Sequence, residues 1–109
     1  GPQGHLAFAP RLTPENFRAP LTTAEGWGTF SQTRNGNVQN DTIEIRWGKL
    51  RLRSLAFVPP ENVKPQSVRV KIAGGEVAAK HETAEGRVKI TLGAEIVLQP
   101  GQKIEVTLA

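Results

Sequence analysis

Four cationic side chains, Arg46, Lys49, Arg51 and Arg53, crowd one short stretch beside Trp47. Cations interleaved with an aromatic ring are the chemistry of a phosphate-tracking surface on which a base can stack. The spacing argues against that use. Trp47 shares the parity of Ile43 and Ile45, so a period-two strand turns its indole toward the core and leaves the cations on the outer, solvated face. No specific nucleic-acid partner is expected.

Nucleophilic catalysis needs a nucleophile, a base within reach and a group that orients the base. The chain has two histidines, His5 near its start and His81 between Lys80 and Glu82. Neither lies in a G-x-S-x-G setting, and both read as surface histidines. A glycosidase would need two carboxylates facing each other across a cleft. Here Glu25, Glu61 and Glu85 fall in turns, while Glu44 and Glu105 alternate outward on strands. Asn35-Gly36-Asn37, with Asn40-Asp41 behind, has the look of a calcium loop, but Asp41 is its only charged ligand. A type I′ hairpin turn at Asn35-Gly36 accounts for the same residues. The chain is therefore read as having no catalytic residue, no metal site and no cofactor.

Sugar recognition calls for exposed rings on which the CH faces of a pyranose can pack. Alternation assigns Phe8, Trp47 and Phe57 to the core, which leaves Trp27, Phe30 and Phe17 as candidate binding residues. Trp27 is bracketed by glycine in Gly26-Trp27-Gly28, and glycine lets a second surface approach the backbone closely. Trp27 and Phe30 are three residues apart, so a regular strand cannot turn both inward. Either a bulge turns both rings inward, or at least one is exposed and packs against another domain.

The elements that must hold these residues are strands. Leu6 and Phe8 alternate, then Ile43, Ile45 and Trp47. Leu50 and Leu52 take the opposite parity, and Leu55 and Phe57 switch back. Switches at Gly48-Lys49 and Arg53-Ser54 read as a tight turn or bulges, since one extra residue flips the inward face. Val68, Val70 and Ile72 alternate, as do Val77 and Ala79. Val88, Ile90 and Leu92, then Ala94, Ile96 and Leu98, then Ile104 and Val106 follow. Turn residues separate the runs at Pro59-Pro60, Gly74-Gly75, Glu85-Gly86, Gly93 and Pro100-Gly101. Thr13-Pro14-Glu15-Asn16 starts like a helix, with Pro20 ending it within two turns. The pattern predicts an all-β, two-sheet antiparallel β-sandwich, Ig-like or jelly-roll-like, with seven to nine short strands and one short helical turn around Pro14 to Phe17.

Composition agrees with a packed domain. The chain has 109 residues, enough to bury roughly 65% of its unfolded surface without a staple. It has no cysteine, which excludes disulfides, thiol catalysis and Cys-bound metal clusters. Fourteen Lys and Arg against ten Asp and Glu give a net charge of +4, with both signs interspersed along the chain. The longest apolar run, Leu55-Ala56-Phe57-Val58, is far short of a membrane span. Gly1-Pro2 looks like the scar of tag removal, so residues 1–4 are set aside and residues 5–109 are read as one β-sandwich domain. Alternation runs to Leu108, which suits the C-terminal domain of a larger protein.

Two stretches carry a resemblance. They are Leu6-Ala7-Phe8-Ala9-Pro10-Arg11-Leu12-Thr13-Pro14-Glu15-Asn16-Phe17 and Gly26-Trp27-Gly28-Thr29-Phe30-Ser31-Gln32, followed by Gly48-Lys49-Leu50-Arg51-Leu52-Arg53-Ser54-Leu55. This pattern resembles the all-β C-terminal region of bacterial glycoside hydrolases similar to non-lysosomal glucosylceramidase and bile-acid β-glucosidase. In those enzymes it follows a helical (α/α)₆-barrel catalytic domain. The likeness covers about the first 57 residues. It implies a non-catalytic accessory domain that packs on and supports that catalytic domain, its partner. The family's catalytic carboxylates belong to the barrel, so none maps onto this chain. A stand-alone carbohydrate-binding module, or a structural Ig-like interaction module, is the alternative.

Overall fold

The computed structural model describes residues 4–8, 16–59 and 65–109. Among the described residues ten strands follow one another: β1 (His5–Phe8), β2 (Asn16–Thr22), β3 (Gly26–Asn35), β4 (Val38–Gly48), β5 (Leu50–Phe57), β6 (Val68–Ile72), β7 (Gly75–Val77), β8 (Ala79–Ala84), β9 (Arg87–Leu98) and β10 (Lys103–Leu108). There is no helix among the described residues. The strands form a four-stranded sheet, β1-β5-β9-β8, and a six-stranded sheet, β2-β3-β4-β10-β6-β7. All pairs are antiparallel except β1 with β5, which is parallel. The fold is an all-β sandwich, as the alternation predicts.

Its core is the shared inner face of the two sheets. Phe30, Ile43, Ile45, Val70, Ile104 and Val106 come from the larger sheet, and Leu52, Leu55, Phe57, Val88, Ile90 and Leu98 from the smaller; all are buried in one cluster. This is the period-two set read from the sequence, because successive strand side chains face opposite ways. The chain passes from one sheet to the other between β4 and β5, with Lys49 as the only connecting residue. Gly48 makes that corner at φ 74°, where a Cβ would meet the Glu25 carbonyl oxygen at 2.1 Å. The parity switch at Arg53-Ser54 is a register break between Leu52 and Ser54 against β9.

Several local expectations are corrected. The predicted helical turn does not reach Phe17: Asn16–Thr22 is strand β2, and residues 13–15 lie outside the described residues. Pro20 sits within this strand because β2 is a sheet edge, where a missing N–H leaves no ladder partner unsatisfied. The Asn35-Gly36 turn lies one residue further on. Asn35 pairs with Val38, so Gly36 and Asn37 form the loop, and only Gly36 has positive φ, at 62°. That is incompatible with type I′, which needs both loop residues positive. Ala73-Gly74 and Glu85-Gly86 do have both residues positive and close two-residue hairpins. Gly4, set aside with the first residues, takes part in the fold: its carbonyl accepts the N–H groups of Arg53 and Ser54 at 2.6 and 3.0 Å.

Candidate functional site

The distinctive surface is built by an irregularity in the β3–β4 pairing. Trp27 pairs with Trp47, but Gly28 pairs with Ile45, so Arg46 is an extra residue on β4. The bulge reverses the face on which everything beyond it lies. Ile45 is inside, while Trp47 stands outside and is 65% exposed. The expectation that Trp47 belongs to the core is thus overturned, and the cause is one inserted residue. Trp27 is 51% exposed beside it, as cross-strand partners on one side of the sheet must be.

The flanking glycines make this geometry possible. A Cβ on Gly28 would lie 1.9 Å from the Glu44 carbonyl oxygen, and one on Gly26 would lie 2.3 Å from that of Trp47. The close approach expected of Gly26-Trp27-Gly28 is therefore made by the chain's own β4 backbone.

The remaining candidates fall elsewhere. Phe30 is 3% exposed, with its ring stacked on Phe57 at 6.3 Å and tilted against Phe17 at 6.1 Å. Phe17 is half-buried against the core. Of the three sequence candidates only Trp27 is offered to a partner, and alternation missed Trp47, its neighbour. The two parity switches read further along the chain were the same kind of signal, but nothing at Arg46 itself marks the insertion.

The rim of the pair is polar. Thr22 on β2 is the register partner of Trp27, and the next row inward along the sheet holds Pro20, Thr29 and Glu44. Glu25, in the connection before β3, is bonded by Arg51 at 2.8 Å and faces Lys49 at 3.6 Å; Glu44 faces Arg46 at 3.6 Å. Arg53 bonds Glu95 at 2.8 Å, and this hydrogen bond holds the Glu95 carboxyl below its ordinary range. Every cation of the basic cluster is thus matched to an acid.

On the outer side of the smaller sheet, His5 Nδ1 and Ser54 Oγ share a hydrogen bond at 2.5 Å in a depression that Lys89, Thr91 and Glu95 also line. Glu95 is engaged by Arg53 rather than by His5. Among the described residues no carboxylate orients the ring, so the pair lacks the third member of a catalytic set. His81 is exposed on β8. No group of three or more His, Asp or Glu among the described residues could hold a metal ion.

A second feature escaped the sequence reading. Asp41, considered above as a calcium ligand, is 1% exposed on the inner face beside Gln32 and Gln39, which are equally buried. Arg34 donates to Gln39 Oε1 at 2.8 Å, and the Gln39 amide then donates to Gln32 Oε1 at 3.1 Å and Asp41 Oδ2 at 2.8 Å. Asp41 Oδ1 and Gln32 Nε2 have no hydrogen-bond partner among the described residues. Burial pushes the Asp41 carboxyl up to about 7, against the pull of the Gln39 hydrogen bond and the Arg34 charge. A neutral carboxyl tolerates an unpaired oxygen far better than a carboxylate does. Its parity with Ile43 and Ile45 was visible in the sequence.

No protein-family model, curated protein or solved structure matches the chain, and none links it to glucosylceramidase-like glycoside hydrolases.

Proposed function

We propose that this chain is a non-catalytic accessory β-sandwich of a glycoside hydrolase, that it packs on and supports an (α/α)₆ catalytic domain, and that the Trp27–Trp47 pair is a ligand-recognition surface beside that contact. The carrying observation is the exposure of both indoles side by side, in a chain whose Phe30 and Phe57 rings are buried. Exposed aromatic anchors within a polar rim are the usual composition of a binding surface. The glycosidase setting rests on the resemblance of the first 57 residues. The absence of an oriented nucleophile among the described residues supports a binding role rather than a catalytic one.

Co-expression with the (α/α)₆ domain encoded in the same reading frame tests this. A one-to-one complex that melts above the isolated catalytic domain is expected, with no hydrolysis of aryl glycosides by this chain alone. Failure of the two to associate would overturn the accessory role. The second reading, a stand-alone carbohydrate-binding or Ig-like interaction module, is favoured by the threonine-rich rim of the tryptophan pair.

A further inference from the structure

Resting on the reading of Trp27 and Trp47 as the recognition surface, we propose that its occupant is a neutral oligosaccharide of pyranose units laid across β3 and β4. The size of the pair limits what it can hold. An indole side chain presents roughly 150–250 Å². At 51% and 65% exposure the pair therefore offers on the order of 250 Å² of aromatic surface. A stable protein interface buries about 800 Å² on each partner. Among the described residues, the other exposed large apolar side chains, Val38 and Val97, lie at the opposite end of β4 and on the other sheet. The patch is thus small for a folded domain or a second copy of the chain, and it suits two sugar rings.

The spacing of the pair suits a sugar chain. Trp27 and Trp47 are register partners on adjacent strands. Neighbouring strands lie about 4.8 Å apart, close to the length of one pyranose residue, so a chain crossing the strands sets successive sugars over successive indoles.

The rim offers polar groups. The Thr22 and Thr29 hydroxyls, the Glu44 carboxylate and the Arg46 guanidinium supply donors and acceptors for sugar hydroxyls. Glu44 and Arg46 are 3.6 Å apart, beyond hydrogen-bond distance, so both keep bonding capacity for a ligand. The negative charge of Glu44 beside Arg46, and the pairing of Lys49 and Arg51 with Glu25, disfavour a polyanion. Both rings are held on paired strands rather than on a mobile loop, which lowers the ordering cost of binding.

The test is calorimetric titration of the 109-residue chain with cellohexaose, mannohexaose and maltohexaose, repeated with Trp27→Ala and Trp47→Ala. Saturable binding of at least one hexasaccharide is expected. Each substitution should weaken it at least tenfold and leave the melting temperature of the chain in place. Absence of binding by all three sugars at millimolar concentration overturns the proposal, as does binding that both substitutions leave unchanged. If no sugar binds and the same substitutions release the chain from the (α/α)₆ domain, the patch is a protein seat; the sugar proposal falls while the accessory role stands. If sugar binds through the pair and the chain ignores that domain, the accessory role falls and this proposal stands.

Discussion

Trp27 and Trp47 are cross-strand partners exposed together on the larger sheet, although Trp47 and the buried Ile45 have the same sequence parity. The extra residue, Arg46, converts a core position into a surface position. The exposed indoles contribute little to the packed core, and this has a measurable consequence.

Trp27→Ala and Trp47→Ala should each change the unfolding free energy by less than about 1 kcal/mol, the range of surface substitutions. Phe57→Ala, which removes a ring from the centre of the core, should cost about 3–5 kcal/mol. Urea denaturation of the three variants checks this. A loss of several kcal/mol from either tryptophan variant would place that indole in the core.

Gly28→Ala should be among the most damaging single-methyl changes in the chain. The added Cβ would meet the Glu44 carbonyl oxygen at 1.9 Å, a backbone atom that cannot swing aside. Relief requires β3 and β4 to move apart at the bulge that turns Trp47 outward. A fall of roughly 10 °C or more in melting temperature is expected, from a loss of more than about 2 kcal/mol in a domain of this size. Melting close to the parent value would show that the bulge is not held as tightly as described.

Asp41 makes stability depend on pH. Its carboxyl ionises at about 7 in the folded chain and at the ordinary 3.8 when unfolded. Below 3.8 it is neutral in both states. Between the two values the unfolded state loses its proton first, so stability falls as pH rises through this window and levels off above about 7. The gap between the two values corresponds to roughly 4 kcal/mol. Asp41→Asn should flatten the profile, matching the parent near pH 4 and exceeding its stability at pH 8. Superimposable pH profiles for the two proteins in urea denaturation would contradict the burial of this group.

The strands and core were legible because period-two alternation is a direct image of a half-buried strand. Val88-Ile90-Leu92 and Ile104-Val106 are buried as read. Two kinds of residue broke the reading for different reasons. Trp47 was misplaced because a bulge leaves no compositional mark when the extra residue is an ordinary arginine. Asp41 reads as a loop ligand because of its charge and its asparagine neighbours, whereas its parity with Ile43 and Ile45, which Gln39 shares, puts both inside. Phe17 and Pro20 suggested a helix ending, where an edge strand accommodates the proline instead.

Binding to DNA or RNA should be weak and lost with added salt. Arg46, Lys49, Arg51 and Arg53 are each matched to Glu44, Glu25 or Glu95, so few counterions would be released on contact with phosphate. Fluorescence anisotropy with a labelled duplex over a salt series measures this. A complex that persists and selects sequence at physiological salt would contradict it.

Trp27 and Trp47 are the chain's only tryptophans, and it has no tyrosine, so its indole emission reports on the pair alone. The most direct test is acrylamide quenching of that emission in the free chain and with a saturating concentration of the hexasaccharide that binds in the calorimetric titration. Strong quenching is expected in the free chain, where the indoles are 51% and 65% exposed, and marked shielding when the sugar is bound. Strong protection in the free chain, or quenching that the sugar leaves unchanged, would contradict this.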